Sequence, residues 1–257
     1  MKKLILFFFI VAITAVGFIL IAFSEKKESM ITITGKAEKK SFVVMELFTS
    51  QGCSSCPAAD KVLETYVLQK DEQIIPLSFH VDYWNRLGWV DSFSNQKYTQ
   101  RQNEYASKFN LESVYTPQLI INGQKQLVGS DKDNIAEMVS DELNEIPPIN
   151  INIIKTKTND SKIIIDYAVD LFVANTNINA ALVQDKVFTQ IKAGENKGIK
   201  MYNYNIVRDF SSDQFKNKTG TCVLQIPPGN TSAGFHIVLF IQQKGYGKII
   251  AVAQRLL

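Results

Sequence analysis

Cys53-Ser-Ser-Cys56 lies between an apolar run, Phe42-Val-Val-Met-Glu-Leu-Phe48, and Pro57, after which Val62, Leu63, Tyr66 and Val67 recur at helical spacing. A strand that feeds a helix through a pair of thiols restricts the fold more than any other stretch of this chain. The run is apolar on both faces, as a strand covered on both sides requires. Pro57 suits a first helical turn, and the spacing carries that helix to about Gln69. Thiols separated by two residues can close a disulfide across one turn. The unpaired N–H groups and positive dipole end at a helix start favour a thiolate there. A nucleophilic cysteine with a resolving partner is the chemistry of thiol–disulfide exchange. The same spacing also serves metal ions, so the motif alone leaves both open.

The pattern of alternating elements continues downstream. Ile74–Val81 reads as a second strand, and Ser94 to about Phe109 as a polar helix with Tyr98, Arg101, Gln102, Tyr105 and Phe109 along one side. Asn122-Gly123 between two apolar runs predicts a hairpin with a type I′ turn. Asp131 to about Asn144 closes the unit as a helix, with Ile135, Met138, Val139 and Leu143 on one stripe and Ser130 or Asp131 as N-cap. Glu145-Ile-Pro-Pro148 then interrupts the pattern. Beyond it come eight short β-like runs: Ile149–Lys155, Lys162–Val169, Asn179–Gln184, Lys186–Lys192, Lys200–Arg208, Thr221–Ile226, Phe235–Gln242 and Lys248–Gln254. Such spacing predicts an antiparallel, sandwich-like all-β domain over 147–257, following an α/β domain over 41–146.

The chain has 257 residues, enough for two domains, with 46% hydrophobic and 21% charged residues, the balance of a globular protein. A net charge of +3 without a long basic block gives no reason to expect nucleic acid as a partner. Met1-Lys-Lys3 precedes an uncharged run from Leu4 to Phe23, and a polar linker fills 24–40. That run is long enough for a membrane-spanning helix. The segment 1–23 reads first as a retained signal anchor and second as a cleaved signal peptide. Both put the folded part outside the cytoplasm, anchored to the inner membrane or secreted, where disulfides persist. Only Cys53, Cys56 and Cys222 occur, too few for a disulfide scaffold.

Glu46-Leu-Phe-Thr-Ser-Gln-Gly-Cys-Ser-Ser-Cys-Pro-Ala-Ala-Asp60 resembles the signature of an exported bacterial family classed as a domain of unknown function, number 1223. Phe79-His-Val-Asp-Tyr-Trp84 with Leu87-Gly-Trp89, Thr116-Pro-Gln-Leu119, Gly194-Glu-Asn-Lys-Gly198 and Asn205-Ile-Val-Arg208 match the same family. The resemblance runs from about Ser41 to the C-terminus; Ala58 departs from it, where many relatives are expected to carry a second proline. It implies export and a thioredoxin-like fold for the first domain, and it implies no substrate. The element order is also that of thioredoxin-like proteins, which set a cis-proline opposite CxxC. By that resemblance Pro117 shapes the site and Thr116 contacts substrate. Cys53 is then the attacking thiolate, exposed at the helix start, and Cys56 the resolving thiol one turn inside.

Other residues carry competing readings. Glu46 is a charge within an apolar strand; it relays a proton to the resolving thiol, or it sits at an edge in water. His80 and Asp82, toward the end of the second strand, are accessory candidates: His80 assists proton transfer, ligates a metal, or is merely hydrogen-bonded. Tyr83, Trp84 and Trp89 line a peptide groove or pack in the core. Gly194–Gly198 reads as a hairpin loop, Cys222 as a small buried hydrophobe and His236 as structural.

Three functions follow. The first is an exported thiol–disulfide oxidoreductase, with protein thiols or disulfides as substrate, a recycling redox partner, and no cofactor beyond the Cys53–Cys56 pair. The second is a chaperone for copper or another soft metal that adds His80 to the two thiolates. The third is a non-catalytic protein-binding module.

Overall fold

A computed structural model describes residues 39–159 and 161–257. The apolar run at the N-terminus and most of the linker lie outside the described residues. Among those that are described, no helix is long and apolar enough to cross a membrane.

The first half follows the expected order. Strand β1 (Val43–Thr49) leads to helix α1 (Cys56–Gln69), β2 (Ile74–His80), a 3₁₀ turn (Asn85–Leu87) and α2 (Gln96–Lys108). Strands β3 (Gln118–Ile121) and β4 (Lys125–Val128) precede α3 (Lys132–Leu143). The Asn122-Gly123 turn has φ of 46° and 65°, the left-handed pair that a type I′ hairpin demands. The Asn95 side chain caps α2 by accepting from the Lys97 N–H, and Asp131 caps α3.

The second half departs from expectation. Its strands are β5 (Ile151–Asn159), β6 (Lys162–Val169), β7 (Thr176–Gln190), β8 (Lys200–Gln214), β9 (Thr219–Gln225), β10 (Phe235–Gln243) and β11 (Ile249–Leu256). They do not form a separate all-β domain behind a thioredoxin-like α/β domain. The protein is mostly β, built on one mixed eight-stranded sheet in the order β11-β10-β7-β8-β2-β1-β3-β4, with a three-stranded sheet β5-β6-β9 beside it.

Two features join the halves. First, the runs 179–184 and 186–192 are one 15-residue strand, β7, paired along its length with the equally long β8. Asp185, the polar residue that divides the run in sequence, keeps strand pairing through its N–H to the Gly234 carbonyl, and its carboxylate meets His236 Nδ1 at 2.6 Å. Second, β8 lies parallel to β2, with Ser78 opposite Ile206, so the N-terminal sheet has no free edge there.

The core is shared as a consequence. Phe48, Leu77, Phe79, Tyr98 and Tyr105 pack in one cluster with Val183, Val207, Val238 and Phe240 from the second half. The alternate residues of β7 and β10 (Ala180, Leu182, Ile237, Leu239) pack with Ile163, Ile165, Cys222 and Leu224 of the three-stranded sheet. On β1 the same alternation sends Met45 and Leu47 to α1 and α3, and Val44 and Phe48 to the α2 side. That division decides which residues reach the cysteines.

Candidate functional site

Cys53 and Cys56 are joined as a disulfide, with Cα atoms 5.4 Å apart. The helix begins at Cys56, with Ser55 as N-cap, so Cys53 belongs to the turn ahead of it, where the Cys56 N–H donates to the Cys53 carbonyl. Cys53 Sγ lies 3.3 Å from Ser55 Oγ and 3.9 Å from the carbonyl oxygen of Thr116. The Ser55 hydroxyl donates to that same carbonyl at 3.4 Å. The Thr116–Pro117 bond is cis, and Pro117 is buried. The two ends of the site, far apart in sequence, thus meet at the Thr116 carbonyl.

Cys53 is only 1% exposed, which overturns the expectation of an open attacking sulfur; Ser54 and Ser55 carry the exposure instead. The turn is enclosed from two directions. Trp84 closes one side: a Cβ on Gly52 would come within 3.1 Å of Trp84 Cβ, and the indole N–H donates to Thr116 Oγ1 at 2.8 Å. The loop between β7 and β8 closes the other. Buried Asn196 donates from Nδ2 to the carbonyls of Gln51 (2.9 Å) and Cys53 (2.8 Å), and Glu195 accepts from the Ser54 N–H at 3.1 Å. Gly194 (φ +73°) sits against Trp89, where a Cβ would approach Trp89 Cβ to 3.2 Å. What reads in sequence as a plain hairpin loop is one wall of the cysteine site.

A polar cluster lies under the start of α1. Thr49 and His80 are register partners at the ends of β1 and β2. Thr49 Oγ1 donates to Asp60 Oδ1 at 2.9 Å, and Asp60 follows Cys56 by one helical turn. His80 is buried, its Nδ1 2.7 Å from Asp91 Oδ2, while its Nε2 is buried with no hydrogen-bond partner among the described residues. Asp91 also accepts from the N–H groups of Gln51 (2.8 Å) and Phe93 (3.0 Å), so it fastens the turn that leads into Cys53. Burial pushes the Asp60 carboxyl up to about 6, against the opposing pull of His80 and the Thr49 hydrogen bond. His80 is raised: burial disfavours its charge, but Asp91 and Asp60 together outweigh that. Asp91 is lowered, because His80 and the two N–H donors outweigh its own burial.

The remaining candidates are placed as follows. Glu46 faces α2, away from the cysteines, so it neither relays protons to Cys56 nor meets water. Its carboxylate accepts from Arg101 Nε (2.6 Å), Arg101 Nη2 (3.0 Å) and Tyr105 OH (2.6 Å), all buried. Asp82 is turned to α2, where Thr99 Oγ1 donates to it. Tyr83 donates to Gln102 Oε1 at 3.2 Å and also lies beside the Thr116 side chain, to which the Trp84 indole N–H donates. Among the described residues no group of three or more His, Cys, Asp and Glu stands close enough to hold a metal ion, so His80 is not joined to the two sulfurs. Cys222 is buried in β9 and its thiol is pushed up to about 12 by burial, as an inert small hydrophobe should be. Asp60, Asp91, Glu195 and Asn196 carry no role in the sequence reading. Only the place of Asp60, one turn beyond Cys56 in a helical pattern, signals it.

Fold and site together define a mostly β protein in which a CxxC disulfide, facing the cis-proline just ahead of β3, is closed over by a hairpin from the C-terminal half. The profile of the family described as "Protein of unknown function (DUF1223)" matches residues 44–242, and the chain belongs to that family. The match takes in both the cysteine turn and the hairpin that covers it. A crystal structure of a protein from Agrobacterium tumefaciens is similar at 26% identity over 86% of this chain and 96% of that one, with a TM-score of 0.64. HBP35 of Porphyromonas gingivalis shares the fold at 16% identity, over 86% of this chain and 77% of its own, with a TM-score of 0.62. No curated protein matches the chain.

Proposed function

We propose that this protein is an exported thiol–disulfide oxidoreductase that exchanges disulfides with protein substrates through Cys53 and Cys56. Its kinship with thioredoxin-like proteins, on this reading, lies in the site and not in the architecture. The observation that carries the reading is the Cys53–Cys56 disulfide lodged against the Thr116 carbonyl beside Pro117. A pair three positions apart closes too small a loop to stabilise the chain much, so its use is chemical. Attack by the Cys53 thiolate on a client disulfide gives a mixed disulfide; Cys56 displaces the client thiol and restores the Cys53–Cys56 bond. A separate dithiol donor recycles the pair. The uncharged run from Leu4 to Phe23 supports work outside the cytoplasm, held at the membrane or released from it.

Reduction of insulin disulfides by the full chain, with dithiothreitol as recycling reductant, tests this. The wild type accelerates the reaction and Cys53→Ser returns it to the uncatalysed rate. Equal rates for wild type and Cys53→Ser would leave a binding module on a CxxC-bearing scaffold.

A further inference from the structure

The tip of the hairpin over the cysteines lies beyond the paired part of β7 and β8, whose last register partners are Gln190 and Lys200. Its base is closed by the Ile191 N–H to the Ile199 carbonyl and the Gly198 N–H to the Ile191 carbonyl, both 2.9 Å, and Ile191 is buried. Past that base the segment 192–198 folds on itself: the Lys197 N–H donates to the Gly194 carbonyl at 3.2 Å, and the Ile199 N–H to the Asn196 carbonyl at 3.1 Å. Gly194 and Gly198, at φ +73° and +93°, bracket the tip with left-handed backbone that glycine adopts at least cost. The tip is therefore built to move as a unit while β7 and β8 stay paired.

The seat beneath it is fixed independently. Gln51 is 2% exposed, and its polar groups are taken by different segments. Its N–H donates to Asp91 at 2.8 Å, its side-chain oxygen accepts from Trp89 Nε1 at 2.9 Å, and its Nε2 donates to Thr189 Oγ1 of β7 at 3.2 Å. Its carbonyl is the group given to the tip, through Asn196 Nδ2 at 2.9 Å. The tip also binds the cysteine turn itself, where Asn196 Nδ2 donates to the Cys53 carbonyl and the Ser54 N–H donates to Glu195. When the tip leaves, Gln51 stays tied to Asp91, Trp89 and Thr189, so the turn keeps its shape. Trp84, the wall on the opposite side, packs against the shared core and is bonded to Thr116, which leaves the tip as the wall free to depart.

We infer that the segment 192–198 is a cap on the cysteine turn, latched through Asn196, and that it must lift before Cys53 meets a client disulfide. This deepens the proposed exchange reaction and rests on it. Cys53 and Cys56 are 1% and 0% exposed, so neither sulfur is open to a second sulfur, and exchange depends on access. Hydrogen bonds of the kind that hold the tip are weak in net terms, so a lifted state lies within reach of local opening. The latch shields the resting disulfide from adventitious thiols. Residues of the C-terminal half thus regulate a site whose sulfurs belong to the N-terminal half.

Reduction of the protein's own disulfide tests the cap without any client. The oxidised full chain is mixed with excess dithiothreitol and samples are alkylated in denaturant at intervals. Mass spectrometry then separates chains alkylated at Cys222 alone from those alkylated at all of Cys53, Cys56 and Cys222. Asn196→Ala should be reduced about tenfold faster than the wild type, the effect of its two lost hydrogen bonds on the closed state. Asn196→Asp, equal in size but without the donor, should match or exceed it. Glu195→Ala should gain about threefold, while Glu195→Gln, which still accepts from the Ser54 N–H, should stay close to the wild-type rate. Leu224→Ala lowers global stability from the three-stranded sheet and should leave the rate unchanged. Wild-type rates in Asn196→Ala and Asn196→Asp, or equal acceleration in Leu224→Ala, would overturn the inference. If the Asn196 variants fail to fold by near-ultraviolet circular dichroism, the two Glu195 variants decide, and equal rates in both count against the cap. The parent reading fails separately: a wild type inactive on insulin whose Asn196 variants are reduced faster refutes exchange with proteins and keeps the cap. A wild type active on insulin, with reduction rates unmoved by the Asn196 substitutions, refutes the cap alone.

Discussion

Strands β1 and β2 carry a buried charged cluster on each face, and the two are built differently. On the α2 side, both Glu46 oxygens accept hydrogen bonds, from Arg101 and Tyr105, while Gln242 from β10 accepts from Arg101 Nη2 at 3.1 Å and donates to Tyr105 OH at 2.8 Å. The Arg101 guanidinium also lies 4.8–5.8 Å from the ring centroids of Phe79, Tyr105, Phe210, Phe240 and Tyr246. Burial works against the Arg101 charge, yet Glu46 and Tyr105 hold the group above its usual range. On the α1 side, beneath the cysteines, lies the cluster of Thr49, Asp60, His80 and Asp91, in which His80 Nε2 has no partner among the described residues and the Asp60 carboxyl is pushed up to about 6. A fully satisfied buried network locks elements together, whereas a carboxyl perturbed by burial beside a reactive motif marks a candidate functional site. The first cluster ties the N-terminal strands to β10, and the second fastens the turn that leads into Cys53, through the Gln51 N–H that Asp91 accepts from.

Several substitutions sharpen or break that contrast. The largest effect is expected on the locked side: Arg101→Met strands the Glu46 carboxylate in the core and should lower stability by about 3–5 kcal/mol in urea titration. Intact stability with lost insulin reduction would place this cluster in the chemistry instead, against the account.

The next effect is a pH dependence. Asp60 binds its proton more tightly folded than unfolded, so its contribution falls as pH rises from about 4 to 6, by about 3 kcal/mol in total. The raised His80 contributes fully below its ordinary value of 6.5, and that contribution is lost as pH climbs through its higher folded value. The lowered Asp91 opposes this only below its ordinary 3.8, where its contribution is lost in acid. Unfolding free energy should therefore decline from pH 4 to pH 8. Asp60→Asn should flatten the lower part of that curve and His80→Gln the upper part, while a curve unchanged in both would contradict the assignment.

A smaller loss, about 2 kcal/mol, is expected for Asn196→Ala, which leaves the Gln51 and Cys53 carbonyls without their donor. The reduced variant should also react faster with iodoacetamide, because the hairpin no longer holds the turn. The smallest effect is Trp84→Phe, about 1 kcal/mol from one lost hydrogen bond to Thr116, read as a small drop in melting temperature.

The local pattern was legible where local physics decides it. The strand before Cys53, the helix opened by Pro57, the Asn122-Gly123 turn and the helix capped by Asp131 all follow from spacing, proline and turn chemistry. The long-range pairing was not. Nothing in the sequence of Ser78 or Ile206 signals that β8 will lie parallel to β2, and that pairing puts strands of both expected domains into one eight-stranded sheet. Asp185 reads as a strand end in sequence because its partner, His236, is 51 residues away. The site shows the same limit. Cys53, Cys56, Thr116, Pro117 and Trp84 are drawn together as expected. Glu46 fell on the wrong face, since β-alternation from buried Val44 and Phe48 sends it to α2. Asn196 is invisible in advance because its role depends on how far the β7–β8 arm extends.

The proposed roles of Cys53 as attacking and Cys56 as resolving thiol are tested most directly by trapping. The full chain bearing Cys56→Ser, produced in its native compartment, should accumulate a client-linked species through Cys53 that dithiothreitol releases. The doubly substituted Cys53→Ser/Cys56→Ser chain should form none. Absence of any reducible adduct on Cys56→Ser, or an equal yield from the double variant, would contradict the account.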